Sequence, residues 1–537
     1  MRAVKWIGAA CALALILAGA VIYFKQPTHT SPEQLTVALD SELERLDPLT
    51  IKSPKTFIVS WQIFEGLLAL DEKGNLIPKL ASKWETTDSR IWRFTIREGV
   101  RFHDSPIFGS DGKGRAVTAD DVVSSYTAFC GANAYPAFLL TDILEGCADY
   151  NVGKATSVSG IHKTGPITVE LVLTHPEPYF LHRLSTAWIA IFPKEALQPA
   201  NREQWGLSSV VGTGPFELVS NSDTEIKLRR NPNYWDKTAI GVVHDISFRV
   251  IRNDQARLNA VRDASVDLTQ LPPALFPAVL NPDGSLKSGL TDQLRMVRYP
   301  TFNSHMIGFN VTSLPDVHLR RAISLGIDRK KIVDTLFFGN ARINGGTVPL
   351  AMQGYVSDIP VDSLYDPVAA RNELAQSSYH GQDIELLVND QAGSEQIGQL
   401  VQAQLRAIGV NIRLTKVDFN TAVGRVVKGE APMFSMYFDY VFSAPELILI
   451  NMFESDKRPV PNFWQYSNPT VDAELASLRT LNAKQALTRS AEIEAEVVRD
   501  APAAFLFELD PVLIERKGLA PVKVNAHGYF DFARLGG

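Results

Sequence analysis

Between Ile91 and Val122 the order of residue types leaves the chain little freedom. Trp92, Phe94 and Ile96 alternate with Arg93, Thr95 and Arg97, the period-two pattern of a strand buried on one face. Glu98-Gly99 turns the chain, and Val100 and Phe102 begin a second apolar run that ends at His103-Asp104. Thr118, with Asp121 three residues on, is a helix start, and Val122, Val123 and Tyr126 follow at helical spacing. Strand, turn, strand, loop and capped helix is an α/β order. The loop Asp104–Arg115 carries Gly109, Gly112 and Gly114 without a phosphate-binding spacing, and Asp111 and Lys113 are too sparse for a calcium loop. A surface insertion is expected there.

The 537 residues exceed what one core supports, so two or more lobes are expected. A net charge of -6 gives no footprint for nucleic acid. Arg2 and Lys5 precede an unbroken apolar run from Trp6 to Phe24. That is the layout of an export signal, and Ala18-Gly19-Ala20 fits a cleavage site. The run is also long enough to span a bilayer, so an uncleaved anchor is the alternative to a cleaved leader. Residues preceding Cys11 do not fit a lipidation site. In an exported chain Cys130 and Cys147 are disulfide candidates, with two buried thiols as the alternative. Absence of a Cys-x-x-Cys pair argues against a zinc site or a thiol nucleophile. No Gly-x-Ser-x-Gly elbow or His-Glu-x-x-His pair is present, so no hydrolase motif stands out. The ten histidines do not cluster, and no metal or cofactor is expected.

Further motifs recur along the chain. Leu35–Leu39 reads as a first strand, followed by the turn Leu46-Asp47-Pro48 and then Phe64-Glu65-Gly66-Leu67. Ile161–Leu173 and Ile189–Pro193 read as strands. Gly212-Thr213-Gly214-Pro215-Phe216 precedes Arg230-Asn231-Pro232-Asn233-Tyr234-Trp235, where glycines allow a tight turn and the aromatics pack a corner. Ile246–Ile251, Gln255–Val261 and Val266–Leu268 read as strand, helix and strand. Leu319, Ala322, Ile323 and Gly326 share one helical face, which places Arg320 and Arg321 on the solvated side. Ile384–Val388, a helix from Ser394 to Gly409, and Val410–Val417 form a βαβ unit with a parallel strand pair. Helices are expected from Asn468 and from Ala483, and Phe505–Leu513 reads as one returning strand.

These motifs together resemble the family 5 solute-binding proteins of bacterial ABC transporters, the oligopeptide, dipeptide and nickel binders. The resemblance covers nearly all of the chain after residue 34. It implies an α/β, two-lobed Venus-flytrap periplasmic binding protein fold of the large type, with an extra subdomain in the first lobe. The implied division is a signal peptide or anchor over residues 1–25, lobe I over 26–78, its extra subdomain over 79–187, and lobe I again over 188–302. Lobe II then occupies 303–503 and the C-terminal return to lobe I 504–537, with crossovers near Phe302–Met306 and Ala501–Leu506. The implied function is non-catalytic capture of a peptide-like solute and delivery to ABC transporter permease subunits, by a monomer in the periplasm. A membrane-anchored ligand sensor and an exported hydrolase on the same scaffold are the alternatives.

The resemblance also points to site residues. Phe434–Tyr440 matches an aromatic-x-x-Asp-Tyr segment whose Asp pairs with the ligand's α-ammonium in peptide binders of the family, and Asp439 holds that position. The chain departs from the pattern on both sides, with Ser443-Ala444-Pro445 after it and no arginine in Ala431–Phe434. Lys52 lies in a segment that lines the pocket in the family and is either a partner for a ligand carboxylate or a solvated lysine. Tyr437, Tyr440 and Trp464 are expected as pocket walls. The stretch Leu76–Val122 is expected to build the first lobe and to touch no ligand.

Overall fold

A computed structural model describes residues 33–537 apart from 240, 353 and 392. The leader-or-anchor run Trp6–Phe24 and Cys11 lie outside the described residues. Among the described residues no helix is long and apolar enough to cross a membrane.

Two mixed sheets carry the molecule. The first runs, edge to edge, through Leu294–Arg298, Val512–Arg516, Leu268–Leu271, Gln34–Leu39, Asp245–Val250, Glu225–Arg230 and Phe216–Asn221. Gln34–Leu39 is central, parallel to both of its neighbours and buried from Leu35 onward. A central strand covered on both faces has no need of polar alternation. The second sheet runs Ala341–Ile343, Ala503–Leu509, Asn303–Phe309, Met433–Asp439, Ile384–Asn389, Ile412–Val417. Its last two strands pair in parallel across the helix Ser394–Ile408, the βαβ unit expected from their spacing.

A four-stranded antiparallel sheet, Ala81–Glu85, Ile91–Ile96, Thr168–Val172 and Ile161–Lys163, stands apart from both. Trp92, Phe94 and Ile96 are buried while Arg93 faces out, as the alternation requires. Ile161–Leu173 is therefore a hairpin and not one strand, because Thr164 to Ile167 turn the chain. Ile189–Pro193 makes only an isolated bridge, Glu65 to Ile191. Thr118 and Asp121 close a capping box on the helix Ala119–Phe129. Cys130 and Cys147 are joined, with Cα atoms 5.2 Å apart.

The separated motifs meet at one buried carboxylate. Glu65 accepts hydrogen bonds from Thr213 Oγ1 (2.9 Å), Tyr234 Oη (2.9 Å) and Trp235 Nε1 (2.8 Å), with Lys79 Nζ at 3.4 Å. Gly212 packs so tightly on this corner that a Cβ would lie 2.0 Å from the Ile63 carbonyl oxygen. His103 closes the other side: it accepts from the Gly212 N–H at Nδ1 (3.3 Å) and donates from Nε2 to the Gly214 carbonyl (2.9 Å). Burial holds this imidazole neutral by pushing its pKa down to about 4. The Asp104–Arg115 insertion ends on Arg115, which bridges Asp121 and Glu195 and so ties the loop to the subdomain.

Other expectations also change. Phe505–Leu513 is two strands, Ala503–Leu509 in the second sheet and Val512–Arg516 in the first. The chain therefore passes from the second sheet to the first at Asp510-Pro511, several residues later than the expected Ala501–Leu506. Pro511 has no N–H for a ladder, which is why the strand breaks there. The first crossover falls at residues 299–302, between Leu294–Arg298 and Asn303–Phe309. Finally, Arg320 is buried and not solvated. Its guanidinium donates to the carbonyls of Leu314 (2.6 Å), Ala501 (2.8 Å) and Asp500 (2.8 Å) and so ties two helix termini together.

Truncation of Glu65 would strand the buried hydroxyls of Thr213 and Tyr234 and the half-buried Trp235 N–H. Glu65→Ala is expected to lower the unfolding free energy by about 3 kcal/mol, read from denaturant titration followed by tryptophan fluorescence. An unchanged midpoint would mean that the corner does not depend on this carboxylate.

Candidate functional site: the cleft between the two sheets

A cavity of about 810 Å³ lies where the two sheets approach each other. One wall comes from the first sheet and its neighbours, including Val37–Asp40, Leu268–Pro273 and Trp188. The other comes from Met436–Val441, Phe419 and Phe463. Both crossovers line it as well, through Tyr299, Phe302, Asp510 and Pro511. None of the residues 76–122 does, as expected for a stretch that builds the first lobe. The volume and the mostly apolar, aromatic-rich lining are those of a small-molecule site.

Asp439 ends the strand Met433–Asp439 and faces into this space. Residues two apart on a strand share a face, so Tyr437 lies beside it and its hydroxyl donates to the Asp439 carboxylate. Asp439 is open to the cavity but enclosed by protein on its other sides. Among the described residues it has no ion pair with a Lys, Arg or His, and burial pushes its pKa up to about 6 despite the Tyr437 hydrogen bond.

The other charged groups of the lining are matched. Asp40 pairs with Lys55 at 2.5 Å, Arg257 with Asp254 at 2.7 Å, and Asp510 with Arg342 at 3.0 Å. Lys52 is the exception on the opposite side of the cleft. It is exposed, forms no ion pair among the described residues, and its ammonium sits 6.0 Å from the centroid of the Tyr135 ring. An unpaired carboxylate and an unpaired ammonium thus border one aromatic cavity.

Of the expected walls, Tyr437 and Tyr440 are in place. Tyr440 is held by a 2.6 Å hydrogen bond between its hydroxyl and that of Thr347, and its ring stacks on Phe438 at 5.9 Å. Trp464 is not a wall. It is completely buried, packed on Phe453 (5.2 Å) and Phe438 (6.0 Å), and its neighbour Phe463 lines the cavity instead. The sequence reading also missed Tyr135, Phe138, Trp188, Tyr299, His527 and Tyr529, all in the lining. The available signal was the pair of aromatics in the proline-containing loop between the two cysteines; the rest come from segments with no pattern of their own.

Comparison with known proteins agrees with this geometry. The sequence pattern of the bacterial extracellular solute-binding proteins, family 5 Middle, matches residues 75–459. The periplasmic oligopeptide-binding protein OppA of Salmonella typhimurium is 29% identical over 301 residues, 55% of this chain and 52% of that protein, so the match spans about half of that relative. The probable di/tripeptide-binding protein 5 of Pseudomonas aeruginosa is 24% identical over 93% of this chain and 95% of its own length. Among solved structures, HbpA2 from Haemophilus parasuis superimposes with a TM-score of 0.79 at 20% identity, covering 94% of this chain and 99% of that one. Sequence pattern and overall fold agree, and the chain belongs to the family 5 bacterial extracellular solute-binding proteins.

Proposed function

We propose that the chain captures a short peptide with a free amino terminus between its two lobes and hands it to an ABC permease, acting as a periplasmic monomer. The observation that carries this reading is Asp439, an ionisable carboxylate on the wall of an aromatic-rich cleft with one hydroxyl donor and, among the described residues, no cation. A ligand ammonium would supply the missing charge, and a charge-assisted hydrogen bond is strongest where water is excluded. Tyr437 orients the carboxylate, Tyr440 and Phe463 form the wall beside it, and Lys52 is placed to meet a ligand carboxylate across the cleft. The names of the relatives, which bind oligopeptides and di- or tripeptides, support the same class.

A carrier fits this site better than a catalyst. The Ser443–His182 contact (Oγ to Nδ1, 2.8 Å) is the arrangement that most resembles a nucleophile and base, and neither residue lines the cavity.

Asp439→Ala is expected to weaken binding of a free-amine tripeptide at least about tenfold, or 1.4 kcal/mol, and to leave an N-acetylated tripeptide unaffected. Calorimetry showing equal affinity for wild type and variant would remove Asp439 from the site.

The pH dependence follows from the raised pKa. An ammonium needs the ionised carboxylate, so affinity holds above pH 7 and falls once the pH drops below 6. A loss of about tenfold is expected between pH 7.5 and pH 5, with proton release on binding near pH 6. Calorimetry in buffers of different ionisation enthalpy reads both effects.

The unliganded protein gives an independent check. The folded pKa lies above the unfolded value of 3.8, so ionised Asp439 costs stability in full above pH 6, and that cost fades as the pH falls toward 4. Unliganded Asp439→Asn should therefore unfold at a higher temperature than wild type at pH 8, with the difference shrinking toward pH 4.

A further inference from the structure

The chain between the joined cysteines, residues 131–146, brings two large aromatic side chains to the cavity wall. Tyr135 is 41% and Phe138 42% exposed, and both line the cleft. They meet each other edge to face at 5.9 Å, and both rest on the ring of Trp188, at 4.8 Å and 5.8 Å. Trp188 is itself buried and backed by Phe57 at 5.3 Å. The result is a three-ring recess whose open faces belong to the cavity, with the Lys52 ammonium 6.0 Å from the centroid of the Tyr135 ring at its edge.

This recess is preformed. The disulfide closes the base of its loop. The Tyr135 N–H donates to the Leu49 carbonyl at 2.8 Å. The Leu139 carbonyl accepts from Arg183 at 3.2 Å, and Arg183 is locked by Glu177 at 2.7 Å and Asp142 at 3.0 Å. At the far end Gly146 adopts φ +77°, and a Cβ there would lie 2.5 Å from Ser159 Oγ, so the loop lies tightly against its neighbour. Rings held this way do not have to be ordered when a ligand arrives, which leaves more of the contact energy for affinity and selectivity. Aromatic faces are matched best by another aromatic ring, in offset or edge-on contact.

We infer that Tyr135, Phe138 and Trp188 form a side-chain subsite that selects peptides carrying an aromatic residue; this rests on the peptide reading above and adds a preference that the ammonium anchor cannot supply. The test titrates the full chain by calorimetry with trialanine and with three tripeptides that place one phenylalanine at each position in turn among alanines. At least one of the three should bind tenfold or more tighter than trialanine. Phe138→Ser and Tyr135→Ser should each cut that ratio below threefold, the ratio being taken against trialanine binding to the same variant. Asp439-dependent binding with no preference for any phenylalanine peptide, or a preference that survives in both variants, overturns the subsite and leaves the peptide reading standing. Failure of all four tripeptides to bind wild type overturns the peptide reading and the subsite with it.

Discussion

Both crossovers are fastened to one buried side chain. Asn303 opens the strand Asn303–Phe309, and its amide pairs with the Leu509 backbone in both directions, donating to the carbonyl and accepting from the N–H, each at 2.8 Å. It also donates to Thr301 Oγ1 at 2.9 Å. Leu509 is the last residue before the Asp510-Pro511 crossover. One amide thereby aligns the two chain segments about which the lobes are joined. Asp439 is the residue opposite Asn303 in the neighbouring strand, and the next N–H, of Tyr440, donates to Phe302 in the first crossover at 2.7 Å. The candidate anchor therefore sits at the pivot. In a hinge closure the distant rims travel furthest and residues beside the hinge travel least, so Asp439 would be a fixed point around which the rest of the cleft shuts.

Buried carboxylates are not rare in this chain, and hydrogen bonding separates Glu494 and Glu508 from Asp439. Glu494 and Glu508 are also pushed up to about 7 by burial. Glu494 accepts from Tyr355 and from the Val348 N–H, and Glu508 from Asn344 and the Leu350 N–H. Both are bound to the 344–355 segment and are enclosed by the protein that they hold together. Asp439 has a single donor from its own strand and opens into the cavity. Satisfied buried polar groups fix structure, whereas an under-partnered one facing a cavity marks a place where a partner belongs.

Much of the architecture was legible in the sequence because it rests on local signals. The alternation of Trp92, Phe94 and Ile96, the Thr118–Asp121 box and the βαβ spacing each depend on neighbours within a few residues. Errors appear where the deciding partner is remote. Ala503–Leu509 and Val512–Arg516 are apolar throughout, and a run buried on both faces does not say which sheet it joins. Arg320 looked solvated because the carbonyls that bury it come from residues about 180 positions later. Trp464 and Phe463 exchanged roles because one position along an irregular segment decides which ring meets the cavity, a distinction composition does not carry. Glu65 and Asp439 are both single acidic residues beside aromatics in the sequence, yet one receives three side-chain donors from distant segments and the other one.

The residues that build this fold and those that would choose its ligand are different sets. Glu65, His103, Gly212 and Trp235 make one corner of the first lobe, and none of them lines the cavity. The rings proposed to select a ligand lie on a loop whose conformation is held by a disulfide, an arginine cluster and one close glycine contact. Substitutions at Tyr135 or Phe138 would leave those supports intact, because each ring is open on the side that faces the cavity. Ligand preference can therefore change without disturbing the corner that holds the lobe together. Family membership accordingly determines the scaffold, while in the proposed reading Asp439 and the rings around it would set the chemistry of the ligand.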